Sequence, residues 1–312
     1  MEARSRASDG KSKKTMALGS DTIDLLIRLR AAGCIPAEPA VVEIGAQQLG
    51  DGLLAARAEL ENLGGIFGAA GACPLPPPLP TSAGIAHGEL KKLDPAAPMA
   101  RDFWTWLGFQ YAAIDIDGSP GSIPLDLNFD AVPDDAAGKF DLVTNFGTTE
   151  HVANQLNAFK VVHDLAALGG VMLHHLPAQG MLNHGLINYN PKFFWMLARS
   201  NGYKWLYADF TWAPTSYELP RNIIEHMTPF APDIAARLRD YRTADCGIVV
   251  ALQKVFDIPF VPPLDVNTGT RTDNPALARR YWTVFTPHAF ATRRAGAWWR
   301  DKLGLGRRRG GS

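Results

Sequence analysis

Lys139-Phe140-Asp141-Leu142-Val143-Thr144-Asn145-Phe146-Gly147-Thr148-Thr149-Glu150-His151-Val152 is the stretch that decides the fold. Phe140, Leu142 and Val143 are apolar and favour extended backbone, so they read as a buried strand. Gly147 permits a sharp turn, and Thr148 or Thr149 can cap the helix that follows. Leu156, Phe159, Val162 and Ala166 then recur at helical spacing. Gly169-Gly170 reads as the helix stop. Val171-Met172-Leu173 reads as a second buried strand, ending in His174-His175-Leu176-Pro177. Strand, helix and strand in that order imply a right-handed parallel crossover. Ligands of such sheets lie beyond the carboxyl ends of the strands. Asn145, Gly147, Glu150, His151, His174 and His175 all fall at those ends.

The same alternation extends in both directions. Asp21–Ala32 reads as a short helix, and Ala40-Val41-Val42-Glu43-Ile44-Gly45-Ala46 as a buried strand closing on an acid and a glycine. Asp51–Leu63 follows as a helix. A helix over Arg101–Leu107 precedes a strand over Tyr111–Gly118, which ends in Asp115 and Asp117. Ser122–Asn128 reads as an edge strand because of its proline. Downstream, Pro191 suits a first helical position ahead of a helix over Phe193–Ser200. Tyr203–Trp212 and Gly247–Lys254 read as strands, with a helical stretch around Asp233–Tyr241 between them. Alternating strands and helices imply a mainly parallel sheet covered on both faces.

Residues 64–100 interrupt this order with dense glycine and proline, including Pro74-Leu75-Pro76-Pro77-Pro78-Leu79-Pro80. They read as an inserted loop of the kind that forms lids. The organisation is therefore a basic, disordered tail over 1–19, one domain over 20–256 with the insertion 64–100, and a basic, aromatic extension over 257–312. The chain holds 312 residues, 46% of them hydrophobic, enough for a sizeable core. Lys+Arg and Asp+Glu both number 31, so net charge identifies no partner. Cys34, Cys73 and Cys246 are scattered without a CxxC pair, which fits a reducing compartment and a cytoplasmic location. No apolar run approaches the roughly 20 residues of a membrane span.

The first strand–turn–helix of such a sheet carries the nucleotide. Here it is Glu43-Ile44-Gly45-Ala46-Gln47-Gln48-Leu49-Gly50, without the G-x-G-x-x-G of a dinucleotide site and without a Walker loop. The order resembles that of class I S-adenosylmethionine-dependent methyltransferases over roughly residues 38–255. Glu43-Ile44-Gly45 is similar to the opening of that family's acidic-x-Gly-x-Gly loop, with Gln47 in place of the second glycine. Phe140-Asp141-Leu142-Val143 with Glu150-His151-Val152 resembles its fourth strand and loop, and Gly169-Gly170-Val171 its fifth. Val249–Lys254 resembles its antiparallel seventh strand.

The resemblance implies an α/β, Rossmann-like, doubly wound sheet. It has seven mainly parallel strands, an antiparallel last strand, and helices on both faces. It implies S-adenosyl-L-methionine as cofactor, with Glu43, Gly45 and Ala46 at the glycine loop. Asp115, with Ile116 beside it, would hold the ribose, Asp117 being the alternative. Asp126 and Leu127 would lie at the adenine, and Asn145 at the end of the fourth strand.

Methyl transfer from a sulfonium depends on positioning, and a neutral acceptor must also lose a proton. His151, His174 and His175 are the candidate bases, with His184 behind them. His174 and His175 are adjacent on a strand and so point to opposite faces. A metal set drawn from His174, His184 and Glu150 is the weaker alternative. No motif such as H-E-x-x-H is present, and no metal is expected. The loop residues Asn145, Thr148, Gln179, Asn183 and Asn188 are polar and uncharged, which suits a hydroxylated small molecule or a glycan-type acceptor. Competing readings are an NAD- or nucleotide-dependent α/β enzyme and a non-catalytic interaction domain. No nucleic-acid motif is visible. The basic tail is either a solvated end or a peripheral membrane contact, and no oligomeric state is legible.

Overall fold

The computed structural model describes residues 18–49, 53–54, 56–75, 98–116, 121–181, 184–211, 217–218, 246–266 and 272–285. The tail before Leu18, most of the Pro-rich insertion, Asp117, Asn183, the 233–241 stretch and the end of the chain lie outside these residues.

Eight strands form one sheet: β1 (Ala40–Ile44), β2 (Gln110–Asp115), β3 (Ser122–Pro124), β4 (Phe140–Phe146), β5 (Ala166–Gln179), β6 (Lys204–Thr211), β7 (Tyr217–Glu218) and β8 (Cys246–Gln253). Their order is β3-β2-β1-β4-β5-β8-β6-β7. The seven expected strands are all there, and the two-residue β7 pairs antiparallel with β6 at the outer edge. β1 to β5 run parallel. The last long strand, β8, inserts antiparallel between β5 and β6. The reversal of strand order lies between β1 and β4, so their carboxyl ends open onto the crevice where such sheets hold ligands.

The sheet separates two apolar layers. Val41, Leu142, Val171 and Leu173 face α1 (Ser20–Ala31), α2 (Arg57–Phe67) and α3 (Ala100–Trp106). Val42, Val143 and Met172, one position along each strand, face α4 (Gln155–Leu165) and α5 (Pro191–Asn201). The strand pleat turns each successive side chain to the other layer. β8 is buried on both sides, which explains why its sequence is continuously apolar instead of alternating. Short helices α6 (Pro275–Arg280) and α7 (Trp282–Phe285) follow, and Arg199 of α5 ties α7 down through a bond to Val284 O.

Several local expectations change. Of the helix expected over Asp51–Leu63, Leu53 and Leu54 are helical, and after a break at Ala56 a second stretch runs from Arg57 on to Phe67, stopping at Gly68 with φ +74°. Thr148 and Thr149 do not cap α4. A separate 3-10 turn covers Thr149–His151, and the Asn154 side chain accepts from Asn157 N to start the α-helix. Asn190 caps α5, with Pro191 in the first turn as expected.

Gly169 and Gly170 do not stop α4, which ends at Leu165; both lie within β5. A Cβ on Gly170 would come within 2.7 Å of Phe140 O and 2.9 Å of Ala167 O. Gly170 therefore allows the close approach of β5 to β4 where the register shifts, while Gly169 takes a left-handed φ of +92°. The stop is made by Lys254 instead. It is 6% exposed, and its Nζ donates to His163 O and Ala166 O, both at 3.0 Å. Lys254→Met keeps the apolar stem and strands two carbonyls, so stability should fall by about 1–3 kcal/mol. A thermal midpoint equal to wild type would show the two bonds to be dispensable. No helix among the described residues is long and apolar enough to cross a membrane.

Candidate active site

Glu43 ends β1 with no exposure at all, and a carboxyl buried there must find donors. Trp104 Nε1 of α3 and Tyr111 OH of β2 each donate at 2.9 Å, and Gln47 N donates at 3.2 Å. Burial still pushes the Glu43 carboxyl up to about 7 against these bonds. Neither aromatic donor is named by the sequence motif. Tyr111 stands at the strand start, and Trp104 reads as an ordinary core residue.

Gly45 follows in a left-handed conformation, φ +83°, with its N–H donating to Ile114 O at 2.7 Å. A Cβ at this position would strike Thr148 Oγ1. That hydroxyl is itself fixed, donating to Ile44 O at 2.6 Å. The loops after β1 and β4 are thereby locked to each other through a glycine and a threonine. Ala46 N donates to Asp115 Oδ2 at 2.8 Å, which ties the same loop to the end of β2. Asp115 Oδ1 accepts from Ile116 N at 2.7 Å, and the Ile116 side chain is 74% exposed. Asp126 accepts from Asn128 N in a turn beyond β3, while Leu127 is buried beside it. Glu43, Gly45, Ala46, Asp115 and Ile116 are thus brought to one edge.

Asn145 is fully buried and turned inward. Its Nδ2 donates to Thr149 Oγ1 at 2.9 Å and lies 3.2 Å from His174 Nδ1. Tyr189 OH donates to Gln155 Oε1 at 2.6 Å and shares a hydrogen bond with the Thr149 hydroxyl at 2.9 Å. Gln155 Nε2 in turn donates to Thr149 O and Val152 O. This network fixes the 3-10 turn that carries Glu150 and His151.

The candidate bases do not converge. His174 packs against Phe159 and Phe194 in the α4–α5 layer, and burial lowers its pKa to about 3. His175 points to the opposite layer, with Nε2 2.9 Å from Thr211 Oγ1, and burial lowers it to about 4. Both rings are neutral parts of the core. His151 differs, because half of its side chain is exposed.

His151 instead meets two other groups. Glu150 Oε1 lies 3.8 Å from His151 Nε2 and 3.4 Å from His184 Nε2. The ligand atoms of Glu150, His151 and His184 all lie within 4.8 Å of one another. His174 does not belong to this group, so the set considered from the sequence is corrected by exchanging His174 for His151. Leu186 N and Ile187 N donate to Glu150 O at 2.8 and 3.1 Å, holding the His184 loop against the turn. The Glu150 side chain is wholly buried, and among the described residues no other group donates a hydrogen bond to either carboxylate oxygen. Burial pushes it up to about 7 and pushes His151 below its ordinary value.

A family model described as a methyltransferase domain matches residues 24–238, more than half of the chain. No curated protein matches the sequence. Among solved structures, the chain is similar to 1,6-didemethyltoxoflavin-N1-methyltransferase from Burkholderia thailandensis, with bound 1,6-didemethyltoxoflavin and S-adenosylhomocysteine. The identity is 12%, with 76% of this chain and 80% of that chain covered, at a TM-score of 0.37. It is also similar to a SAM-dependent methyltransferase from Archaeoglobus fulgidus, at 11% identity over 74% of this chain and 94% of that one, TM-score 0.36. At such scores neither structure bears on the assignment, which rests on the family match.

Proposed function

The chain belongs to the methyltransferase-domain family, whose methyl donor is S-adenosyl-L-methionine, and we propose that it methylates a hydroxyl-rich small molecule or glycan-type acceptor. The observation that carries this reading is the locked edge at Gly45. One loop is pinned at once to Thr148 and to Asp115, beside the switch of strand order between β1 and β4.

The residues fit the cofactor. Gly45 and Ala46 let backbone approach the methionine end closely. Asp115 is placed to accept from the ribose hydroxyls. Exposed Ile116 at the end of β2, with Asp126 and Leu127 following the adjacent β3, offers an apolar flank and an acceptor for adenine. Glu43 shapes the loop from behind, and Asn145 positions the next loop by holding Thr149. When bound, the cofactor supplies an electrophilic methyl group on a sulfonium.

The acceptor lies against the loops after β4 and β5, whose described side chains include Thr148, Gln179 and Asn188. Uncharged polar groups of this kind match hydroxyls better than anions. The hydroxyl proton is released at the Glu150–His151–His184 group, since His174 and His175 sit within the core layers. Glu150 and His151 therefore stand where the sequence placed a single base.

Asp115→Ala removes the acceptor of two backbone N–H groups and of the ribose. Affinity for S-adenosylhomocysteine should fall by roughly 1.5–3 kcal/mol, about ten- to a hundredfold. Titration calorimetry giving wild-type affinity for this variant would remove Asp115 from the site. Failure of the wild-type protein to bind S-adenosylhomocysteine at all would remove the function.

A further inference from the structure

We infer that Glu150, His151 and His184 form a binding site for a divalent transition-metal cation, of which zinc fits the donor set best. The inference rests on the acceptor side of the function proposed above.

The first observation is the donor set. Two imidazoles and one carboxylate are the three protein ligands of a well-known class of open zinc site, which keeps a fourth position for water or substrate. Both histidines present Nε2 to the same Glu150 oxygen, at 3.4 and 3.8 Å. Zinc bonds of about 2.0–2.1 Å in tetrahedral geometry place neighbouring ligand atoms roughly 3.4 Å apart. Two of the three separations are at or near that value and all lie within 4.8 Å, so side-chain rotation can close the group around an ion.

The second observation is independent of spacing. Glu150 has no side-chain exposure, yet among the described residues no other group donates a hydrogen bond to either of its oxygens. A buried carboxyl left this way costs several kcal/mol as a rule and is seldom retained without a partner. It cannot swing away to find one. A Cβ on Gly185 would approach Glu150 Cγ to 2.8 Å, so the loop packs directly on its stem. The carboxylate is thus aimed at the two rings by backbone that closes over it. His151 and His184 are half and about one-third exposed, so the site stays open on its outer side.

Location gives the site its use. Thr148, which braces the cofactor loop at Gly45, is two residues from Glu150. A cation here would hold an acceptor hydroxyl beside the methyl donor and favour loss of its proton to water, acting as a Lewis acid. That replaces a single histidine base by a group of three ligands.

The test uses the full chain, freed of metal by a chelator and titrated with zinc by calorimetry. Cobalt(II) reports geometry through its visible absorption. The wild-type protein should take up one equivalent of zinc, and its cobalt form should show the intense bands of a tetrahedral ion. His151→Ala, His184→Ala and Glu150→Gln should each weaken zinc binding at least a hundredfold, while Cys34→Ser should not. Glu150→Gln keeps the buried shape, and the two histidine variants alter partly exposed side chains, so circular dichroism should stay native.

Absence of stoichiometric uptake, or equal zinc affinity in all three variants, overturns the site. S-adenosylhomocysteine is titrated into the same samples. Its binding without zinc uptake removes the metal and leaves the methyltransferase reading. Zinc uptake that depends on the three ligands sustains the site whichever way the second titration falls.

Discussion

Gly45→Val should lower affinity for S-adenosylhomocysteine more than a hundredfold while leaving the sheet folded. Two separate costs meet at this residue. Its φ of +83° lies in the left-handed region, where an L side chain costs roughly 1–2 kcal/mol. Its Cβ would also overlap Thr148 Oγ1, which cannot retreat because it is bonded to Ile44 O at 2.6 Å. Overpacking of this kind costs about 1–3 kcal/mol more. The loop would relieve the overlap by moving, and the Ala46–Asp115 bond would go with it.

The two costs can be separated. Gly45→Ala should behave like a milder Gly45→Val. Gly45→Ala combined with Thr148→Ala removes the overlap and keeps the backbone strain, leaving about a tenfold loss. Calorimetry with circular dichroism as a folding control decides the matter. Binding by Gly45→Val within tenfold of wild type would mean that this loop does not approach the cofactor.

The second large effect is on stability, at Glu43. Glu43→Ala leaves the Trp104 and Tyr111 donors, and Gln47 N, without their acceptor in a buried place. Each stranded group costs about 1–3 kcal/mol. The sum is about 3–9 kcal/mol, a large part of a typical domain's stability. Urea denaturation should show a markedly lower midpoint.

Glu43→Gln keeps the shape and tests the charge. Burial raises the folded pKa from 4.5 to about 7. Between those values the folded state binds more protons than the unfolded one, so stability falls as pH rises. At about 1.4 kcal/mol per unit the loss reaches roughly 3 kcal/mol by pH 7. Wild type should therefore lose stability over this window relative to Glu43→Gln. Parallel stability curves for the two proteins would mean that Glu43 is ionised throughout and that its three donors outweigh its burial.

Among the described residues, the sequence alone determined the order of strands and helices, because runs such as Ala40–Ile44 and Phe140–Phe146 are short, apolar and β-favouring. It also determined which residues stand at strand ends, since a strand end is marked locally by a glycine or an acid. That Glu43 would need partners was legible for the same reason. Who the partners are was not: Trp104 lies 61 positions away and Tyr111 lies 68. Such pairs exist only once parallel pairing has fixed the register between β1 and β2.

The pleat fixed in advance that His174 and His175 point apart, but only the packing of α4, α5 and β6 decided that both are buried. Gly169-Gly170 looked like a helix stop because glycine serves equally for a cap and for close strand approach; at Gly170 the tertiary contact with Phe140 chose the second. The meeting of Glu150 with His184 was decided last. It depends on a loop returning across the end of β4, and backbone bonds from Leu186 and Ile187 to Glu150 O are what close it. Local propensity reaches a few residues along the chain, whereas a site assembled from three crossovers is set by the sheet that joins them.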